Sequence, residues 1–260
     1  MSKLKPAGIT IYATGMSALG LLCIIYKDFI IGRPPASSFW AGLNPAMGYI
    51  AGMLVILAGS AILFHKKAGQ ASLIIALLIL FLSVFRQLPY FSIDRLSVFK
   101  AFAFWGGSLI IASCFLEQNN GIFKIPVTRR MIQVMMMTGI ISLAAFLIAA
   151  GYAHIKYADF VKAFIPAYIP FHGFFTYFCA VCLFAGGAGL LIPATRKWAA
   201  LLSAIMLMGW FLLLHIPRFI AHINDPSDRM GLCESFVFAG IFFCLAGMKE
   251  EDEFNKKRAE

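Results

Sequence analysis

Apolar residues run through this chain in long unbroken blocks, and polar residues gather between them. The blocks occupy approximately residues 8–31, 45–64, 71–89, 101–117, 131–151, 172–193, 198–216 and 232–248. Each is close to the roughly 20 residues that a helix needs to cross a hydrocarbon core about 30 Å thick. The blocks are continuous, with none of the two-residue alternation of a transmembrane barrel. The second, "AMGYIAGMLVILAGSAILF", and the seventh, "WAALLSAIMLMGWFLLLHI", hold no acidic or basic side chain except His215. The first block is too long for a signal peptide and no small-residue cleavage site follows it, so it is expected to persist as a helix. The pattern predicts an all-α, polytopic membrane protein with eight transmembrane helices.

The blocks also repeat. "YKDFI" (26–30) matches "YADFV" (157–161), and Pro35 falls opposite Pro166 at the same offset. "AGSAILFHKKAGQAS" (58–72) resembles "AGGAGLLIPATRKWAA" (185–200), each a small-residue run followed by a basic turn. Pro89 aligns with Pro217, and "DRLSVFKAFAFWG" (94–106) with "DRMGLCESFVFAG" (228–240). Landmarks kept in one order imply duplication, with drift confined to loops. An even number of spans per copy makes both enter the membrane in the same direction, a parallel repeat about an axis along the membrane normal. The expected organisation is two tandem parallel four-helix bundles, 1–118 and 131–248, forming a pseudo-dimer within one chain. A cytoplasmic linker (119–130) joins them and a charged tail (249–260) follows. Small-residue runs at Ala58–Ala61 and Ala185–Gly189 suit close helix approach.

Composition agrees, with 61% hydrophobic and 13% charged residues, which excludes an ordinary soluble domain. If the N-terminus is cytoplasmic, inside segments carry thirteen Lys and Arg and outside segments eight, with Arg86 left inside a span. Both termini are therefore expected in the cytoplasm. The net charge of +10 then reads as topology signal and anionic-lipid contact rather than nucleic-acid binding. The six cysteines lie in or near helices and suggest no disulfide framework.

The second half resembles the DoxX-like membrane proteins, through "GYAHIKYADFVKAFIPAYIP" (151–170), "AGGAGLLIPATRKWAA" and "LLHIPRF" (213–219). The likeness covers most of 139–245 and, more faintly, 8–113. It implies a four-span bundle per unit, the bacterial cytoplasmic (inner) membrane, and association with redox systems, one branch with a thiosulfate:quinone oxidoreductase. Many relatives carry a glutamate in the second span; here those places hold Leu183 and Ile56, so no role passes through it. The reading that follows is a non-catalytic membrane subunit or anchor of a redox system with a possible quinone ligand and a redox partner protein. The alternative is a small-solute or lipid-like carrier using a polar pocket at the outer mouth. A third is a thiol oxidoreductase using Cys179 and Cys182, disfavoured because the pair lies mid-helix among apolar residues.

Ionisable groups inside a membrane are functional candidates by default. Those expected at the outer mouth are Arg86, Lys100, His215, Glu234, His154 and His172, taken together as a ligand-binding set. Asp28 with Arg95, and Asp159 with Arg229, are expected as duplicated structural ion pairs. Lys100 and Glu234 occupy equivalent places with opposite sign, which suits a pair across the pseudo-twofold interface or a cavity. No metal spacing appears, since Pro217 separates His215 from His222, and no covalent-cofactor motif is present.

Overall fold

The structure, a computed structural model, describes residues 3–34, 42–116, 121–122 and 125–248. Pro35, part of the linker and the tail from residue 249 lie outside the described residues. The described residues are predominantly helical, and two-residue segments, Gly121–Ile122 and Ile125–Pro126, pair antiparallel. Helices α1 (Leu4–Tyr26), α2 (Asn44–Leu63), α3 (Ala68–Arg86), α4 (Arg95–Leu116) and α5 (Arg129–Lys156) are followed by a short α6 (Ala158–Phe164). Then come α7 (His172–Leu191), α8 (Pro193–Trp210), α9 (Ile216–Ala221) and α10 (Pro226–Ala246). Helices α8 and α9 are continuous through a π-helical turn, Phe211–His215, and form one span. Counted so, eight helices are long and apolar enough to cross a membrane.

Local chemistry sets the helix ends. Lys27 adopts the left-handed conformation and stops α1 at Tyr26, five residues short of the end of the apolar block. The block continues as buried Phe29, Ile30 and Ile31, outside the helix. Asp94 accepts a hydrogen bond from the Ser97 amide (3.1 Å), so α4 begins at Arg95 and its first turns take in Lys100. Asp225 caps α10 through the amides of Ser227 (2.7 Å) and Asp228 (3.2 Å), with Pro226 in the first turn. Both helices therefore start a turn or more before their apolar blocks, because capping and not hydrophobicity fixes a helix start.

Packing places small residues inside and large ones toward lipid. In α2 the buried positions are Gly48, Ala51, Gly52, Val55, Ala58, Gly59 and Ile62, at helical spacing. Tyr49, Ile50, Met53, Leu54 and Leu57 face outward. That is the arrangement expected where helix association relies on close van der Waals contact rather than on exclusion of water.

Helix α1 packs along α2 and α10, α4 along α3 and α5, α7 along α5 and α8, and α8 along α10. Helix α10 also meets α4. These two bury 67% of their most apolar windows, more than any other span. They run parallel: Lys100 pairs with Glu234, the Phe104 ring lies 4.5 Å from Phe238, Gly107 abuts Ile241, and Cys114 meets Met248. Where α1 crosses α10, a Cβ on Gly240 would fall 2.5 Å from the Tyr12 amide and 2.8 Å from the Gly8 carbonyl. Buried Tyr12 reaches from α1 to Ser108 of α4 with a 2.7 Å hydrogen bond.

Candidate functional site

The ends of α1, α3, α5 and α9 and the starts of α2, α4, α7 and α10 share one face, opposite the start of α1 and the end of α10. A polar cluster is built there. Arg86 ends α3 with its side chain buried, and its guanidinium makes two hydrogen bonds to the Asp28 carboxylate. The next residue, Gln87, is buried and donates to the Ile31 carbonyl (3.0 Å). Together they pin the segment that leaves α1. At Gly32 (φ 76°) this segment turns against α4, where a Cβ would meet the Ala101 Cα at 3.0 Å. Only glycine suits both the dihedral and the space. The turn delivers Arg33.

Arg33 Nε and Lys100 Nζ each donate to Glu234 Oε2, both at 3.0 Å. Arg33 Nη2 also donates to the Ser227 carbonyl (3.1 Å), at the start of α10. The Glu234 carboxylate is almost wholly buried (side chain 6% exposed), whereas Arg33 keeps 34% of its side chain exposed. The second oxygen, Oε1, is buried and has no partner among the described residues; the same holds for His215 Nδ1 and Gln87 Oε1. His215 and Arg33 crowd the same glycine: a Cβ at Gly231 would lie 3.0 Å from His215 Nδ1 and 3.2 Å from Arg33 Nη2.

The backbone that carries His215 is irregular for a stated reason. Pro217 has no amide hydrogen, so it cannot bond the Leu213 carbonyl one turn earlier, and its ring crowds that carbonyl. The ladder widens: the Ile216 amide bonds Phe211 in a five-residue step. The freed Leu213 carbonyl accepts from the Tyr168 hydroxyl. Such single-turn π insertions recur at functional sites.

A second ionic group lies on the same face. Arg218 of α9 forms a two-bond pair with buried Asp228 (2.8 and 3.2 Å). His222 Nδ1 is 3.0 Å from the same carboxylate. The Arg218 guanidinium also stacks over Phe164, 3.7 Å from the ring centroid.

Of the expected ligand set, Lys100, Glu234 and His215 come together. Arg86 is joined to Asp28 instead. His154 Nδ1 bonds the Ala150 carbonyl of its own helix (2.8 Å), and His172 Nε2 lies 3.2 Å from the Pro166 carbonyl. Among the described residues, neither is bonded to Glu234, Lys100 or His215. The expected Asp28–Arg95 and Asp159–Arg229 pairs are not formed. Asp28 takes Arg86, because a fully buried guanidinium has the greater need of a counter-charge. Arg95 instead lies over the Phe91 ring (5.8 Å). Asp159 pairs within α6 with Lys162 (3.1 Å), and this exposed bond raises the Lys162 pKa. Arg229 bonds the Ile223 carbonyl, Asn224 and the Tyr26 hydroxyl. The duplicated Asp-Arg phrase thus has two uses: Asp94 caps α4, whereas α10 starts one turn earlier and Asp228 turns inward to Arg218. Sequence reasoning passed over Arg33, Gln87 and Arg218 as binding groups. The available signals were the Gly32-Arg33-Pro34 turn and the adjacency of Gln87 and Arg218 to Pro89 and Pro217.

Cys179 and Cys182 lie on α7 as separate thiols, and the Cys179 sulfur accepts from Trp210 Nε1 (3.1 Å).

Eight helices long and apolar enough to cross a membrane define a multi-pass membrane protein. Residues 143–228 match a family model described as a domain of unknown function (DUF8561). No curated protein and no solved structure matches the chain. The matched stretch includes His215, Arg218, His222 and Asp228 but ends before Glu234, and Arg33 and Lys100 lie far upstream. The polar cluster therefore combines residues inside and outside the match.

Proposed function

We propose that this chain is a DoxX-like membrane subunit or anchor of a redox system, and that the Arg33–Lys100–Glu234–His215 cluster holds the polar head of a quinone-like ligand. The observation that carries the reading is the Glu234 carboxylate: one oxygen is shared by two cations, and the other, like the nearby buried His215 Nδ1, has no partner among the described residues. Buried polar atoms in native proteins are almost always bonded. A hydroquinone hydroxyl has the donor that Glu234 Oε1 or His215 Nδ1 accepts, and a quinone carbonyl accepts from the cations. With His215 neutral, the cluster carries one net positive charge, which also suits an anionic semiquinone or a carboxylate head.

The tandem arrangement belongs to the same proposal. Contacts between residues 134 apart, Lys100 with Glu234 and Phe104 with Phe238 among them, support two parallel copies about an axis between α4 and α10. Equivalent positions meet repeatedly only beside such an axis. The Lys and Arg distribution supports cytoplasmic ends, in a bacterial inner membrane, and puts the cluster at the outer leaflet.

The alternative, a carrier of small solutes or lipid-like molecules through the same mouth, draws on the irregular backbone of the Phe211–His215 turn beside the cluster. Irregular turns often line transported-ligand sites.

Solvent extraction of the protein purified in mild detergent, with quinones quantified by mass spectrometry, tests the leading reading. Near-stoichiometric quinone that falls in the Glu234→Gln variant supports it. Quinone at the level of bulk lipid in both proteins contradicts it.

A further inference from the structure

The opposite face, where α1 begins and α10 ends, holds a second constellation on the α4–α10 seam. Cys114 Sγ lies 3.5 Å from Cys244 Sγ and 3.8 Å from the Met248 thioether. Both cysteines are buried, whereas Met248 is partly exposed. We propose that Cys114, Cys244 and Met248 form a binding site for Cu(I).

The geometry fits a three-coordinate soft ion. Metal–thiolate bonds of about 2.3 Å in a trigonal arrangement put the sulfurs about 4 Å apart, and the two separations from Cys114, 3.5 Å to Cys244 and 3.8 Å to Met248, are close to that. The donor set decides which ion. Two thiols and a thioether select Cu(I), whereas harder ions require nitrogen or oxygen ligands. Among the described residues no group of three His, Cys, Asp or Glu has a metal-holding arrangement, so Zn(II) lacks the further donors that it takes in closed sites.

Charge also balances. Binding exchanges two thiol protons for one Cu(I), with no change in oxidation state, and the protons leave to water past Met248. Two thiolates and one Cu(I) leave a single negative charge. Lys5 lies nearby: a Cβ on Gly247, three residues after Cys244, would fall 2.9 Å from the Lys5 Cα. The ion would tie α4 to α10, with α1 completing the charge.

The test uses the full chain in detergent under anaerobic conditions, titrated with Cu(I) as its acetonitrile complex against a chromophoric Cu(I) chelator. The expected result is one Cu(I) per chain, and affinity weakened roughly tenfold or more in Cys114→Ser and Cys244→Ser. Met248→Leu keeps the stoichiometry at lower affinity, and Cys179→Ser/Cys182→Ser is unchanged. X-ray absorption on the wild-type protein, independent of any variant's folding, is expected to give three sulfur neighbours at about 2.3 Å. Absence of stoichiometric binding overturns the proposal, as do nitrogen or oxygen neighbours in the absorption spectrum. So does binding unaffected by Cys114→Ser and Cys244→Ser, or a Cys114–Cys244 disulfide in protein alkylated during isolation.

Discussion

Replacing Glu234 with alanine leaves the Arg33 and Lys100 cations facing a site without a counter-charge. Breaking a buried pair in this way typically costs about 3–5 kcal/mol, so Glu234→Ala is expected to lower thermal stability sharply in detergent. Arg33 can turn toward water, but Lys100 cannot do so easily, at 17% exposure. The double variant Lys100→Met/Glu234→Met should therefore be more stable than either single change, a coupling that a thermal-shift double-mutant cycle reads directly. The residue scale was partly legible in advance. Opposite charges at equivalent places in a repeated phrase marked Lys100 and Glu234. The partners of Asp28 and Asp228 were hidden because ion pairing follows burial, and the sequence does not reveal that Arg86 is the buried cation. Arg33 was counted among loop cations for the same reason: its position depends on the Gly32 turn and on two α3 residues that hold the preceding segment.

At the scale of the element, the π-helical turn makes the sharpest prediction. Tyr168→Phe removes the donor that serves the Leu213 carbonyl, and an unpartnered carbonyl costs about 1–3 kcal/mol. A matching drop in melting temperature, with the ligand site otherwise intact, is the expected reading. Pro217→Ala restores the missing amide and lets the helix close its regular ladder. That moves His215 away from Gly231, so bound quinone should fall while thermal stability holds or rises. The α1–α10 crossing is equally specific: Gly240→Leu pushes a side chain into the α1 backbone near Tyr12, and loss of folded protein on size exclusion is expected. Apolar block lengths predicted the existence and order of the spans. They missed the starts of α4 and α10 and the end of α1, since capping by Asp94 and Asp225 and the left-handed Lys27 set these. The π turn was beyond periodicity altogether, although Pro217 pointed to a break.

Across the whole molecule, each outer pair joins a helix from one half to a helix from the other, α1 with α10 and α5 with α4. Residues 1–118 expressed alone should therefore expose the α1 surface that α10 covers, and be degraded. Co-expression with residues 119–260 should rescue both, as scored by co-purification. Eight spans put the start of α1 and the end of α10 on one side, and on the proposed cytoplasmic orientation alkaline phosphatase fusions at either end should be inactive and green fluorescent protein fusions bright. The repeated phrases were legible because proline, glycine-rich and Asp-Arg landmarks kept their order along the chain. The interlocking of halves was not, because hydropathy records which segments enter lipid and not which neighbours they choose. The central claim is that the Glu234 cluster grips a quinone-like head, and equilibrium binding of a short-chain quinone to the protein in lipid nanodiscs tests it most directly. Saturable binding that weakens roughly tenfold in both Lys100→Met and Glu234→Gln, about 1.4 kcal/mol each, is the predicted result. Binding that is absent, or equal in all three folded proteins, would contradict the account.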